Sequence, residues 1–279
     1  MKEIMFSILV VSLNPGEKLV QTIQSIREQT WQDYEVVIKD GGSKDNSPAQ
    51  LEEFLKRQPE EFRQRVRLIQ EPDGSIYEGM NQAAAYAAGV YYYFLNCGDL
   101  FAGEAVLEQT AQAIRADKAQ GGQALIYYGN IYDALRGQVV QSNPRMNDFA
   151  CYRNVPCHQA CIYHNSLFEE RGYEPEYRVR GDYEHFLWAY FCKKAQPKYI
   201  EVVLATYEGG GFSETKENRI SSKQEHKEIT EKYLSGRQLL SYKAILLLTL
   251  APLRSKLAES RRFAGIYNTL KKKLYDGRK

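Results

Sequence analysis

The strongest constraint on the fold is an alternation of short apolar runs with segments of helical spacing over the first hundred residues. The apolar runs occupy residues 6–13, 34–39, 66–70 and 91–96. This alternation predicts an α/β domain with a mostly parallel central sheet and helices on both faces. Ligands of such sheets bind beyond the carboxyl ends of the strands. We therefore expect the polar segments that begin at Ser12, Asp40 and Asn96 to share one rim.

The regular alternation ends after a helix predicted at about 105–117. Later strands are expected at 124–129, 138–141 and 199–207, a helix at 182–193, and mostly helical sequence from residue 214 onward. A length of 279 residues allows one large α/β domain with a full hydrophobic core. We place this domain at residues 1–215 and a basic helical extension at residues 216–279.

The composition is that of a folded globular protein, with 43% apolar residues, 26% charged residues and a net charge of +2. No nucleic-acid partner is expected from this balance. The five cysteines are odd in number and form no C-x-x-C pair, which is typical of reduced thiols in a cytoplasmic protein. The first apolar run reads as a strand rather than a signal peptide, and no membrane-spanning helix is expected.

Three carboxylates stand at positions suited to chemistry. Asp40 begins an Asp-Gly-Gly-Ser loop, whose glycines let the backbone lie close to a ligand. Asp99 follows the strand at 91–96 and is an oxygen ligand of the kind that Mg²⁺ or Mn²⁺ takes together with substrate phosphates. Asp182 stands at the start of a predicted helix. Each also has a structural reading, as a glycine-rich turn for Asp40 and as a helix cap for the other two.

Taken together and in this order, these motifs resemble the family-2 glycosyltransferases with the GT-A fold. The resemblance covers roughly residues 6–215 and rests on Ser12-Leu13-Asn14, the loop at 40–47, the stretch at 71–81, the loop at 94–99 and Asp182-Tyr183-Glu184. It implies a half that binds the nucleotide sugar at about residues 1–100 and an acceptor half at about 101–215.

The resemblance also implies roles for individual residues. Ser12 and Asp40 would contact the nucleobase, Asp99 would bind a divalent metal, Mn²⁺ or Mg²⁺, and Asp182 would be the general base. Further contacts to the nucleotide sugar are implied for Asn14, Asp73, Asn81 and Asn96. A UDP-sugar is the donor that the family suggests first.

The chain departs from the family pattern in two places. The metal loop is commonly Asp-x-Asp-Asp, whereas here only Asp99 is kept, with Asn96 and Gly98 in the other places. Either the metal affinity is reduced or the metal is held mainly through the donor diphosphate. The base motif is commonly Glu-Asp, and Gly181 replaces the Glu. The Gln-x-x-Arg-Trp signature of processive synthases is absent from the sequence, so addition of a single sugar to a saccharide or lipid-linked saccharide is expected.

Inverting transfer needs one carboxylate to take the acceptor proton and one cation to neutralise the leaving diphosphate. Asp182 and Asp99 fill these roles in the expected mechanism. On the acceptor side, His158 and Trp188 are further candidates. The alternatives for them are a hydrogen-bonded structural histidine and a core tryptophan.

The carboxyl-terminal region is strongly basic. Residues 231–279 carry twelve Lys or Arg against three Asp or Glu, a net charge of +9 that leaves −7 on the remainder. Phe263, Ile266, Leu270 and Leu274 lie close to one helical face. Such a helix suits an anionic lipid surface, and we expect peripheral binding to the inner face of the cytoplasmic membrane, as in bacterial surface-polysaccharide assembly. A solvated helix packed on the core is the alternative.

Two other classes of protein stay open from the sequence. Sugar-nucleotide pyrophosphorylases also use a nucleotide-binding sheet with a metal-binding Asp, but they normally carry an Arg- and Lys-containing glycine loop after the first strand, unlike Ser12-Leu13-Asn14. The reduced metal loop keeps a non-catalytic sugar-binding or scaffold protein open as the second alternative.

Overall fold

The computed structural model describes residues 4–209 and 215–249 of the chain. Within these residues, nine strands form one sheet. The strands are β1 (Phe6–Ser12), β2 (Tyr34–Asp40), β3 (Val66–Gln70), β4 (Tyr91–Phe94), β5 (Leu100–Phe101), β6 (Ile126–Asp133), β7 (Gln138–Val140), β8 (Cys161–His164) and β9 (Lys198–Tyr207). Their order is β3-β2-β1-β4-β8-β6-β9-β5, with β7 paired to β6.

Ten helices flank the sheet in the described part of the chain. They are α1 (Lys18–Arg27), α2 (Ser47–Lys56), α3 (Glu60–Arg63), α4 (Ile76–Ala85), α5 (Val106–Ala119), α6 (Asp148–Arg153), α7 (Ser166–Glu170), α8 (Gly181–Phe191), α9 (Lys216–Tyr233) and α10 (Gly236–Leu248). A single 3₁₀ turn, His158–Ala160, precedes β8. None of the described helices has both the length and the apolar composition needed to cross a bilayer.

The first half of the sheet is parallel, because β1 to β4 are joined by helical crossovers. β8 then runs antiparallel to both β4 and β6, while β6 and β9 are parallel. The regular pattern of the sequence therefore stops where antiparallel pairing enters the sheet. The carboxyl ends of β1, β2 and β4 still meet at one rim, as the sequence predicts.

Hydrophobic clusters cover both faces of the sheet. Ile8 and Val10 of β1 point into one cluster with residues of α1, α2 and α5, and Leu9 points into the other with residues of α4 and α8. Because both faces of β1 are buried, its sequence is a continuous apolar run rather than an alternating one. The five cysteines have free thiols in this structure.

The helical segment after residue 214 begins with α9, which packs against α8 and buries Ile229 in the core cluster of that face. α10 follows, opened by a capping box between Ser235 and Gln238. Leu240, Leu247 and Leu248 of α10 are exposed. The predicted amphipathic face at Phe263, Ile266, Leu270 and Leu274 lies outside the described residues.

Candidate active site

The nucleotide-binding candidates Ser12 and Asp40 end neighbouring parallel strands and are register partners. Both are buried. The Asp40 carboxylate accepts hydrogen bonds from the backbone N–H of Ser43 at 2.9 Å and from the Ser43 hydroxyl, and the Ser12 hydroxyl lies 3.5 Å away. The loop after β2 thus folds back over its own carboxylate at the rim.

Asn14 ties this loop to the one after β1. Its backbone N–H donates to Ser43 Oγ at 2.8 Å, and its side-chain oxygen accepts from the N–H of Lys44 at 2.8 Å. Asn14 adopts a left-handed backbone conformation, with φ of 47°, which asparagine tolerates better than most residues. The structure therefore places Asn14 as a brace between the two loops that carry Ser12 and Asp40.

Asp73 approaches the same rim, where a lysine that the sequence did not single out holds it. The Lys39 side chain is fully buried, and its Nζ donates to Asp73 Oδ2 at 2.8 Å and to the carbonyl oxygen of Glu71 at 2.5 Å. A Cβ at Gly41 would lie 2.7 Å from Asp73 Oδ2, so the glycine is needed for this close approach. A Lys directly before the strand-end Asp is the signal that could have pointed to this pair.

Asp99 lies at the end of the loop that follows β4, and only 6% of its surface is exposed. Its Oδ2 accepts a hydrogen bond from Gln159 Nε2 at 2.8 Å. Burial raises the pKa of Asp99 above its ordinary value, and the Gln159 hydrogen bond and the nearby His158 oppose that rise. A cation beside this carboxylate would stabilise its ionised form and would oppose the effect of burial.

The metal loop offers a second oxygen. Asn96 Nδ2 lies 2.9 Å from His158 Nε2, while Asn96 Oδ1 is buried with no hydrogen-bond partner in the described structure. Buried carbonyl oxygens are rarely left unpaired, and a hard cation takes such oxygens as ligands. Among the described residues, no group of three or more His, Cys, Asp or Glu side chains is arranged to hold a metal ion. Asp99 and Asn96 fit a site that the donor diphosphate would complete.

Asp182 occupies the first turn of α8, with 19% of its side chain exposed. Its Oδ1 lies 3.0 Å from the Tyr77 hydroxyl and accepts from the N–H of Tyr183 at 2.8 Å. Its Oδ2 lies 3.4 Å from His158 Nδ1. Burial acts to raise the pKa of Asp182, but the hydrogen bond and electrostatic interaction with His158, together with the hydrogen bonds from Tyr77 and the Tyr183 backbone, outweigh it and lower the pKa. Asp182 is therefore an ionised carboxylate at neutral pH.

His158 joins the two candidate centres. Its Nε2 faces the amide of Asn96 in the metal loop and its Nδ1 faces the carboxylate of Asp182. This pattern fits an imidazole that carries its proton on Nδ1, because Nε2 then accepts from Asn96 Nδ2. The sequence predicted His158 on the acceptor side, and the structure brings it into direct contact with the predicted base.

Two other candidates, Asn81 and Trp188, are not brought together with the site residues described above. Both polar atoms of the Asn81 amide bind the backbone of Tyr173, at 2.8 Å each. Trp188 lies in the core, with its ring 4.5 Å from the guanidinium of Arg171. Their assignment to the substrates stays a prediction from the sequence.

The chain matches known proteins both in sequence and in fold. The family model described as "Glycosyl transferase family 2" matches residues 7–174. A "PGL/p-HBAD biosynthesis glycosyltransferase" of Mycobacterium bovis is 28% identical over 220 residues, which cover 76% of this chain and 80% of that protein.

Two solved structures share the fold at low sequence identity. S. aureus TarS 1-349 in complex with UDP-GlcNAc is 17% identical, with a TM-score of 0.64 over 84% of this chain and 69% of that one. Mannosyltransferase PcManGT from Pyrobaculum calidifontis, in complex with GDP-Man and Mn²⁺, is 15% identical, with a TM-score of 0.63 over 96% and 80%. The match to another structure of TarS 1-349 spans 60% of that chain. The likeness confirms the predicted α/β fold of the GT-A type.

Proposed function

Because the chain belongs to glycosyl transferase family 2, we propose that it moves one sugar from a nucleotide-diphosphate sugar to a hydroxyl group of a saccharide or lipid-linked saccharide, with inversion at the anomeric carbon. The observation that carries this proposal is the bridge that His158 forms between the metal loop and Asp182. His158 touches both Asn96 and Asp182, so the groups for the leaving diphosphate and for the acceptor proton lie on two sides of one imidazole.

The donor nucleotide binds at the rim formed by β1 and β2 in this proposal. Ser12, Asn14 and Asp40 contact the base and ribose, and Asp73 lies beside them. The buried Lys39 supports this assignment, because its bond to Asp73 Oδ2 fixes the carboxylate against the loop after β2. UDP is the first candidate for the donor nucleotide. Proteins of similar fold have been solved with UDP-GlcNAc and with GDP-Man, so binding of UDP has to be compared with binding of GDP.

A divalent cation, Mn²⁺ or Mg²⁺, would be held by Asp99 and the unpaired oxygen of Asn96 in this proposal. When bound there, it supplies Lewis-acid stabilisation of the leaving diphosphate. The chain itself contributes a buried carboxylate, held in place by Gln159 at 2.8 Å. Reduction of the loop to one carboxylate makes binding of the metal depend on the donor.

Asp182 takes the proton of the acceptor hydroxyl as that oxygen attacks the anomeric carbon. General-base catalysis of this kind contributes roughly 10²- to 10⁴-fold. The Tyr77 hydroxyl and the His158 ring hold the carboxylate in one orientation, at 3.0 Å and 3.4 Å. Attack on the face opposite the leaving diphosphate inverts the anomeric centre.

The acceptor in this proposal is a saccharide or lipid-linked saccharide. A role in biosynthesis is in the name of the mycobacterial "PGL/p-HBAD biosynthesis glycosyltransferase", and the basic charge of residues 231–279 favours an acceptor at an anionic lipid surface. Peripheral docking of residues 231–279 on the inner face of the cytoplasmic membrane would bring the site to a lipid-linked acceptor. The exposed Leu240, Leu247 and Leu248 add apolar surface within this tail. Deletion of residues 252–279 should abolish sedimentation with anionic vesicles, and unchanged sedimentation would remove the membrane from the proposal.

The donor test is a calorimetric screen of UDP-, GDP- and dTDP-sugars with and without Mn²⁺. We expect binding of one class, strengthened by Mn²⁺ in the native protein and not in Asp99→Asn. An NMR spectrum of the product then gives the anomeric configuration. Failure of all three classes to bind would overturn the proposal, and retention of configuration would remove the single-displacement mechanism.

A further inference from the structure

Helix α9 contacts the backbone that leads into the base. Three consecutive backbone N–H groups converge on the carboxylate of Glu225: those of Arg178 at 3.1 Å, Val179 at 3.0 Å and Arg180 at 2.7 Å. Glu225 is 8% exposed. These three residues directly precede α8, whose first turn carries Asp182.

The same face of α9 binds the side chain of Arg180. Its Nε donates to the carbonyl oxygen of Ser222 at 2.9 Å and to the hydroxyl of Ser222 at 2.8 Å. Ser222 and Glu225 are three residues apart and therefore lie on one side of the helix. Residues 178–180 are thus held by α9 through both backbone and side chain.

The Glu225 carboxylate stabilises the start of α8 in two ways. The backbone N–H groups of an N-cap residue and of the loop before it have no intrahelical acceptor, and leaving buried ones unpaired destabilises the fold. Negative charge is also favoured near the amino end of a helix. Glu225 supplies both the acceptor and the charge, so the conformation of residues 178–180 depends on a side chain from another helix.

Displacement of residues 178–180 would reach the base by two routes. Asp182 follows Arg180 by two residues, so its backbone moves with theirs. The carbonyl oxygen of Val179 also lies 2.9 Å from the Tyr77 hydroxyl, the group that contacts Asp182 Oδ1. Both the carboxylate and its hydrogen-bond partner are therefore tied to the turn that Glu225 holds.

We propose that Glu225 is a positioning residue for Asp182, so that a helix beyond the segment matched by the family model sets the orientation of the base. The inference rests on the proposed function, in which Asp182 accepts the acceptor proton. It assigns α9 to the catalytic unit, whereas the sequence suggested that the extension begins at residue 216.

The test compares Glu225→Gln with Glu228→Gln in the full-length chain. The first variant keeps the side-chain size but turns an amide NH₂ toward the backbone donors. The matched control alters an exposed carboxylate one turn later on α9, where it accepts from Gln224 Nε2. We measure amide hydrogen exchange at residues 178–182, binding of UDP with Mn²⁺, and UDP release from UDP-sugars in the presence of acceptor.

Glu225→Gln should lose exchange protection at residues 178–182 and lower kcat about 10- to 100-fold, as expected for a misplaced catalytic group. UDP binding should be unchanged, and Glu228→Gln should match the native chain in all three measurements. Adding Glu225→Gln to Asp182→Asn should slow transfer no further, because the carboxylate being positioned is already gone. Ser222→Ala is a milder change and replaces Glu225→Gln in the test if that variant folds poorly. It should show the same pattern more weakly.

A native value of kcat in Glu225→Gln would overturn the inference. So would a double variant in which the fold-reductions of kcat caused by Glu225→Gln and by Asp182→Asn multiply. Failure of the proposed function has a different signature: the native chain releases no UDP, or Asp182→Asn transfers normally. If the native chain releases no UDP, hydrogen exchange still tests the role of Glu225. Native-like protection at residues 178–182 in Glu225→Gln would show that α9 does not order the turn.

Discussion

His185 is a buried residue of α8 whose protonation is opposed by its surroundings. Its Nε2 lies 3.0 Å from the carbonyl oxygen of Arg171, and its ring stacks on Phe168 with 4.4 Å between centroids. Nδ1 is buried with no partner in the described residues. Burial lowers the pKa of His185 to about 4, although the hydrogen bond to Arg171 opposes the shift. The folded protein therefore holds this ring neutral.

This shift predicts a pH dependence of stability. Between the ordinary histidine pKa of about 6.5 and the folded pKa of about 4, the unfolded chain binds more protons, so the free energy of unfolding falls as the pH is lowered. Between pH 7 and pH 4, the native chain should lose about 3 kcal/mol more than His185→Gln in urea unfolding. Equal losses in the two proteins would contradict this account.

Gly181 stands where the family commonly has Glu, and the structure gives a steric reason. A Cβ at this position would lie 2.8 Å from ring carbon Cδ2 of Tyr77. The Tyr77 ring fills the space that a side chain would need, and its hydroxyl contacts Asp182. The departure from the family motif is thus matched by an aromatic partner for the base.

We expect Gly181→Ala to push the Tyr77 ring away from Asp182. Overpacking of this kind costs about 1–3 kcal/mol of stability, and transfer should fall with it. Gly236→Ala is the control, since a Cβ there meets nothing within 4 Å. Unfolding midpoints and UDP release measure the two effects. Native activity in Gly181→Ala would show that the Tyr77 contact does not matter to the base.

At the scale of elements, α8 and α9 are joined by a buried carboxylate. Glu184 is fully buried and accepts hydrogen bonds from Lys232 at 2.8 Å and from Tyr233, while Arg171 lies 2.5 Å from its other oxygen. Burial acts to raise the pKa of Glu184, but these three partners outweigh it and lower the pKa. The interface stabilises the fold while the carboxylate is ionised and loses that contribution as the pH falls through its lowered pKa.

Removal of the Glu184 carboxylate should weaken the interaction between α8 and α9 and lower the free energy of unfolding. Glu184→Ala leaves the partly buried Arg171 and Lys232 without their shared partner, and we expect a loss of about 1–3 kcal/mol in the free energy of unfolding. The exposed Glu231, which lies 3.9 Å from Lys227, is the control, and Glu231→Ala should cost less than about 1 kcal/mol. Denaturant unfolding of both variants checks this, and equal losses would disprove the role of the buried cluster.

Elements inside the regular alternation of strand and helix patterns could be predicted from the sequence, and several short elements outside it could not. The bounds of β3 match the prediction at 66–70, and those of β1 differ by one residue from the prediction at 6–13. β5, β8 and α6 were missed, because they fall outside the alternation of strand and helix patterns that marked the equally short β3 and β4. These short elements lie beyond the parallel half of the sheet, where pairing becomes antiparallel and sequence order no longer gives strand order.

At the scale of the whole molecule, the sequence could place single carboxylates but not their partners. Asp40, Asp99 and Asp182 were recognisable because they stand at the ends of predicted strands or at the start of a helix. The contacts of Asp182 with Tyr77 and of Asn96 with His158 span 105 and 62 residues. Such contacts depend on how crossovers pack the chain, which local periodicity does not encode. The same holds for Lys39 with Asp73 and for Glu225 with residues 178–180.

The most direct test of glycosyl transfer with Asp182 as base is the rate of UDP-sugar-dependent transfer in Asp182→Asn, alongside its affinity for UDP and Mn²⁺. The asparagine keeps the size of the side chain and its hydrogen bond to Tyr77 but cannot accept the acceptor proton. We predict transfer slowed by roughly 10²- to 10⁴-fold with unchanged UDP affinity. Near-normal transfer by Asp182→Asn would contradict the account.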